Sequence, residues 1–220
     1  LLQKMGAKIE GAGTRKVCIT GVTGLVGAEH TVMHDRLDAG LLMMAGAITG
    51  GDIILKGVVR EHLYVFEAKL QQMGVETIEE GEWLRVRGPT ELSPINVVTT
   101  FYPGGPTDLQ PGMMALACAA KGDSYIRETV FEDRLGHVKN LRAFGAHILP
   151  EKDRLVLVRG PAQLKAAKVK AMDIRAGAAC VLAGLAAEGR TGVHNLYQLD
   201  RGHAHIERRL RGLGADLERL

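Results

Sequence analysis

The chain has 220 residues, 46% of them hydrophobic and 24% charged, with a net charge of +3. That is the composition of a globular protein with length enough for a sizeable core. A charge so small and so spread argues against nucleic acid as a partner, and no apolar run approaches the roughly 18 residues that a bilayer demands, so no membrane association is expected.

The first residues, LLQKMGAKIEG, lack the basic leader and long apolar stretch of a signal peptide. They begin with Leu in mid-pattern, and the chain reads as a piece of something longer. Cys18, Cys118 and Cys180 are odd in number, far apart and set among apolar residues. They are expected to be reduced, buried small hydrophobes of a cytoplasmic protein.

Along the chain the dominant signal is repetition. LLQKMGAKI, LQQMGVETI, LRAFGAHIL and LRGLGADLE share one pattern, with glycines at 6, 74, 145 and 214. Each predicts a helix that stops at a left-handed glycine and then a strand. Three are followed by a second short strand that stops at glycine: VCITG, LRVRG and LVLVRG. Upstream in each unit lies a further strand: GDIILKGV, GDSYIRETV, GRTGVHNLY.

Between these strands the apolar spacing turns helical, as in Leu37, Leu41, Met44, Ile48 and in Leu63, Phe66, Leu70, Met73. Each unit of about seventy residues therefore reads βαβαββ, the last one short by a strand. The expected fold is α/β with pseudo-threefold repetition, helices inside and sheets outside; one continuous open sheet is the alternative. The domain reading is residues 1–21 as the tail of a preceding domain and 22–220 as one domain, with repeats at about 22–88, 89–160 and 161–220.

An acidic residue precedes the first helix of every unit: Asp35 in HDRLDAG, Asp108 in PTDLQPG and Asp173 in MDIRAG. Helix capping explains an aspartate there. It does not explain Arg36 and Arg175, cations placed at the positive end of a helix dipole, nor Arg134 and Arg201 ahead of the second helices. Arginines gathered at helix N-termini make an anion site, because backbone N–H groups and guanidinium forks both match phosphate or carboxylate. Arg175 is expected to face an anion together with Arg134 and Arg201.

His203 and His205 diverge on a helix and have no supporting cluster, so no metal is expected. GxGxxG and P-loop patterns are absent. The basic run RRLRGLGADLERL alternates with apolar residues and reads as a solvated helix face.

HDRLDAG, PTDLQ, ETVFEDR, DIRAGAACVLAGL and LDRGHAHIERRLRGLGADLE, in this order, resemble the UDP-N-acetylglucosamine enolpyruvyl transferase family over essentially the whole chain. The likeness is to about the C-terminal half of those enzymes, within a superfamily that includes enolpyruvylshikimate phosphate synthase. It implies an "inside-out" barrel domain of three repeats. It also implies transfer of enolpyruvyl from phosphoenolpyruvate to the 3-hydroxyl of UDP-N-acetylglucosamine with release of phosphate, the first committed step of peptidoglycan synthesis, without a cofactor.

Carried over by position, Asp108 meets the sugar hydroxyl as candidate base and Val130 offers the UDP-sugar a backbone contact. Asp173 is a candidate proton carrier near the reacting carbons. Arg201 holds phosphoenolpyruvate, and Arg134 and Arg175 line the same cleft. The family's N-terminal lysine and loop cysteine belong to a missing N-terminal domain, so the chain alone is expected to do no chemistry.

The sequence departs from the family pattern ahead of Asp35, at Gly105, at Pro111-Gly112 and at His203. Two other readings remain open: a stand-alone domain that binds a nucleotide or phosphorylated ligand without catalysis, and a repeat scaffold for protein contacts.

Overall fold

The computed structural model describes residues 1–220, which divide into two compact units, Leu1–His34 and Asp35–Leu220. In the first, β1 (Lys8–Glu10) and β2 (Cys18–Thr20) form an antiparallel hairpin, with Lys8 opposite Thr20. Residues 21–35 form neither helix nor strand. Cys18 lies on β2 and is exposed, contrary to the expectation for all three cysteines. The apolar neighbours Val17 and Ile19 that made its setting look like core are themselves exposed on this thin hairpin.

The second unit opens with α1 (Arg36–Thr49), β3 (Asp52–Lys56), α2 (Tyr64–Gln72), β4 (Glu76–Glu80) and β5 (Trp83–Arg87). Next come β6 (Asn96–Val98), α3 (Gln110–Ala119), β7 (Asp123–Arg127), α4 (Val138–Ala143), β8 (His147–Pro150) and β9 (Leu155–Arg159). It closes with β10 (Lys168–Lys170), α5 (Ile174–Ala186), β11 (Gly192–His194), α6 (Tyr197–Asp200) and α7 (Ile206–Gly212).

The strands of this unit do not join into one sheet. They form an antiparallel β3-β5-β4 sheet, a mixed β6-β7-β9-β8 sheet in which only β6 and β7 run parallel, and a parallel β10-β11 pair. Helix α1 packs on β3 and β5, α3 on β7 and β9, and α5 on β11, while α1, α3 and α5 pack on one another. Helices α3 and α5 are apolar nearly all round, which is the pattern of a buried helix. Met113 to Cys118 and Ala176 to Ala183 are buried without a break. The outer strands alternate, as in β3, where Ile53 and Leu55 are buried while Asp52, Ile54 and Lys56 are exposed.

Two kinds of glycine hold these pieces in place. Gly6, Gly74, Gly145 and Gly214 have φ of 100°, 95°, 93° and 98°. In every case the glycine N–H bonds the carbonyl three residues back, and the next residue bonds the one five back, as in Gly145 to Arg142 and Ala146 to Leu141. A strand follows the first three, whereas residues 215–220 form none. At Gly88 and Gly160 the end of a strand meets the end of a helix. A Cβ at Gly88 would lie 2.4 Å from the Gly46 carbonyl oxygen, and one at Gly160 would lie 2.2 Å from that of Ala120. This is the physical reason that LRVRG and LVLVRG both stop at glycine.

Candidate active site

The start of α5 is built around Asp173. Its extended backbone places Oδ1 to accept from the N–H groups of Arg175 and Ala176, each at 2.9 Å. The other oxygen, Oδ2, accepts from Arg175 Nη2 at 2.8 Å. The cation at the positive end of the helix is thus held by the carboxylate that caps the same helix. A partly buried ion pair of this kind offsets the roughly 0.3–1 kcal/mol that the dipole costs the arginine.

Asp35 caps α1 in the same way, accepting from Leu37 N at 2.8 Å, and Arg36 lies 4.9 Å over the Tyr102 ring. Asp108 behaves differently. Helix α3 begins at Gln110 with no side-chain cap bond, and Pro111 fits its first turn. The Asp108 carboxylate turns to arginines instead, with Oδ1 3.0 Å from Arg134 Nη2 and 4.0 Å from Arg175 Nε.

Arg134 is fixed on three sides. Its Nη1 donates to Thr107 Oγ1 at 2.8 Å, Nη2 meets Asp108, and the guanidinium carbon lies 4.0 Å over the Phe131 ring.

The group that organises these segments is Glu128, which the sequence reading passed over within ETVFEDR. Its side chain is buried and accepts from the hydroxyls of Thr99 and Thr107 and from the backbone N–H groups of Val130 and Phe131, at 2.8 to 3.1 Å. Burial alone would push this carboxyl up, but the four donors outweigh it and hold it below the ordinary glutamate value. The loop ahead of Asp108 is closed separately, by two hydrogen bonds of 2.8 Å between Gly105 and Thr100.

Arg134, Arg175 and Asp173 line a cavity of about 190 Å³ together with Asp133 and His137. Val130 does not line this cavity; its N–H is given to Glu128. Arg201 does not line this cavity. It is exposed at the end of α6 and donates to Gln198 Oε1 at 3.1 Å within its own turn.

The structure therefore brings together Asp108, Asp173, Arg134 and Arg175, ties Val130 to the neighbouring Glu128, and leaves Arg201 apart. His137 was not anticipated either; a lone histidine in GHVKNL carries no periodic or charge signal.

His203 is spent on structure. Its Nδ1 lies 2.9 Å from Asp38 Oδ1. Asp38 also accepts both terminal nitrogens of Arg209, which ties α1 to α7. Cys118 and Cys180 are buried and pushed up to about 12 and about 11 by that burial, far from a reactive thiolate. No three His, Cys, Asp or Glu side chains converge as a metal site, and no helix is long and apolar enough to cross a membrane.

Proteins of known activity resemble this chain along its length. UDP-N-acetylglucosamine 1-carboxyvinyltransferase 1 of Halalkalibacterium halodurans is 52% identical over 219 residues, covering 100% of this chain and 50% of that protein. UDP-N-acetylglucosamine 1-carboxyvinyltransferase of Myxococcus xanthus is 47% identical over 100% of this chain and 52% of its own length. This chain thus spans about half the length of the curated relatives it matches.

Among solved structures, the enolpyruvyl transferase NikO from Streptomyces tendae superposes with a TM-score of 0.84 at 30% identity, over 97% of this chain and 51% of that one. EPSP synthase from Acinetobacter baumannii, at 20% identity and a TM-score of 0.71 over 99% of this chain and 54% of that one, shares the fold. Residues 1–210 match the family described as EPSP synthase (3-phosphoshikimate 1-carboxyvinyltransferase), and the chain belongs to that family.

Proposed function

We propose that this chain forms one wall of the active site of a UDP-N-acetylglucosamine 1-carboxyvinyltransferase, as the C-terminal half of the complete enzyme. The observation that carries the reading is the convergence of Asp108, Arg134, Arg175 and Asp173 on the first turn of α5. Both substrates of such an enzyme are anionic, and paired guanidinium forks beside a helix N-terminus suit a phosphate or a carboxylate. Relatives that bear this name are 45% to 52% identical along the whole chain, which favours this acceptor over the shikimate of the wider family.

In the reaction the 3-hydroxyl oxygen of the sugar bonds to the central carbon of phosphoenolpyruvate while the methylene carbon takes a proton. Loss of a proton from that carbon then re-forms the double bond as the carbon–oxygen bond to phosphate breaks and phosphate leaves. Asp108 accepts the hydroxyl proton. An anionic substrate at Arg134 and Arg175 competes for the guanidiniums that hold Asp108, and so frees its carboxylate at the moment the acceptor is bound. Asp173, anchored through Oδ1 by the helix start, presents Oδ2 as the proton carrier near the reacting carbons. Val130 meets the UDP-sugar through its carbonyl, and Arg201, exposed beyond the cavity, takes phosphoenolpyruvate.

The three sheet–helix groups support a pseudo-threefold reading, helices inside and sheets outside. The repeats fall at about 22–88, 89–160 and 161–220, following a tail at 1–21 of the N-terminal domain. In that reading the N-terminal domain supplies the facing wall, with a lysine and a loop cysteine, and excludes water on closure. The enzyme acts in the cytoplasm.

Phosphate release from phosphoenolpyruvate and UDP-N-acetylglucosamine tests the proposal. The purified chain should release none, and addition of the separately expressed N-terminal half should restore release. Release by the chain alone at the rate of a complete enzyme, or none from the folded, combined halves, would overturn it.

A further inference from the structure

The cavity wall contains one buried polar atom without a partner, Nε2 of His137. His137, at the residue preceding α4, is 3% exposed and lines the cavity with Arg134, Arg175 and Asp173. Its Nε2 is buried and has no hydrogen-bond partner. Leaving such a nitrogen unpaired is costly, and an apolar side chain of similar size would avoid the penalty. An imidazole kept at that cost, beside two guanidiniums and the N-terminus of a thirteen-residue helix, points to a ligand atom as its partner.

We propose that His137 is a ligand-binding residue of this cavity, its Nε2 donating to a tetrahedral oxyanion of the phosphate class held by Arg134, Arg175 and the first turn of α5. The proposal rests on reading the cavity as an anion-binding wall.

Charge explains how the ring would respond. Nε2 has no partner, and on the neutral ring with its hydrogen at Nδ1 that nitrogen carries only a lone pair. Burial, reinforced by Arg175, pushes His137 down to about 4, so near neutral pH it carries no charge. The other groups facing it are Asp173 on α5, Glu128 after β7, and Asp133 and Arg134 ahead of α4. A bound dianion outweighs the repulsion of Arg175 and raises the ring's affinity for a proton. The protonated ring then donates from Nε2, and binding takes up a proton.

Sulfate is a suitable probe, because it is a tetrahedral dianion whose charge is constant between about pH 5 and 8. Titrated into the 220-residue chain against sodium chloride of matched ionic strength, it should bind more tightly as pH falls, by up to about tenfold per unit. The His137 ring nitrogens, followed by NMR, should move to their imidazolium positions on sulfate addition. His137→Gln should weaken binding about tenfold at the acidic end and flatten its pH dependence.

The wild-type ring signal decides the matter even if that variant folds poorly. Sulfate shifts at Arg175 and Ala176 with an unmoved His137 ring would overturn the histidine proposal and leave the anion wall standing. No response at α5, and no effect of Arg134→Ala or Arg175→Ala, would remove both.

Discussion

Arg134 and Asp108 meet at 3.0 Å, and the same guanidinium donates to Thr107, so the arginine grips two neighbouring residues at once. Asp108 is therefore positioned from outside the turn that leads into α3, and α3 does not depend on it for a cap. Asp108→Asn should lower turnover of the complete enzyme by about 10²–10⁴-fold. Stability should change by no more than about 1 kcal/mol, since the bridge is 39% exposed on the aspartate side. Turnover per folded molecule set against the urea midpoint separates the two roles; a matched loss in both would make Asp108 a structural residue.

Glu128 is the corresponding structural acid. Glu128→Gln keeps the shape but turns one acceptor into a donor that faces hydroxyl and amide donors. Unfolding free energy should fall by about 1–3 kcal/mol. Hydrogen exchange should quicken at the Val130 and Phe131 amides, which lose their acceptor. Unchanged protection at these amides would show that the loop is held by something else.

Asp38 links acid sensitivity to one contact. Burial raises its pKa, but the bonds from His203 and Arg209 outweigh that and hold it well below the usual carboxylate range. Because the acceptor is a carboxylate, the His203 Nδ1 carries the hydrogen. The stabilisation from this depressed carboxyl is complete above the unfolded aspartate value near 4 and is lost as pH falls below it. Asp38→Asn should cost about 2 kcal/mol at pH 7, and the gap to wild type should narrow from about pH 4 downward. Denaturant midpoints against pH would show it, and a gap independent of pH would rule out the carboxylate as its source.

The elements were legible because they are local. The glycine-ended helices and their following strands repeat as words, and Leu63, Phe66, Leu70 and Met73 are all buried as their spacing requires. Arg175 stood out in the sequence because a cation at the positive end of a helix breaks a local rule, but that Asp173 itself holds it became visible only in the structure. What escaped was set by contacts between distant segments. Glu128 joins Thr99, Thr107 and its own turn, Asp38 joins His203 and Arg209, and Nε2 of His137 is orphaned only once α4 and α5 are packed. Arg201 was grouped with Arg134 and Arg175 because its motif repeats; in this chain its side chain lies beside Gln198, outside the cavity. Cys18 was misread, since an apolar context on a two-stranded hairpin does not make a core.

The cysteines give a direct chemical check. A thiol reagent needs an accessible thiolate, and Cys118 and Cys180 offer neither access nor ionisation. The native chain should react quickly at Cys18 alone, with the other two appearing only on unfolding. Rapid labelling of Cys118 or Cys180 under native conditions, located by peptide mass, would contradict the packing of α3 and α5.

The two glycine types should fail differently. A Cβ on Gly145 would meet only the Gln163 carbonyl oxygen, at an ordinary 3.5 Å, so Gly145→Ala carries the cost of the left-handed backbone and little else. That is about 1–2 kcal/mol. Gly160 is free of that constraint, yet a Cβ there would lie 2.2 Å from the Ala120 oxygen and 2.9 Å from the Ala117 oxygen. Neither oxygen can yield without moving the end of α3, where the Ala120 N–H bonds Ala117 O and the Ala162 N–H bonds Cys118 O. Gly160→Ala should therefore lose more than Gly145→Ala, by at least about 1–3 kcal/mol, and Gly88→Ala should behave as Gly160→Ala does. Urea unfolding of the three variants measures the ranking. A Gly160→Ala chain as stable as Gly145→Ala would mean that the end of α3 shifts freely, and that β9 does not fix its position.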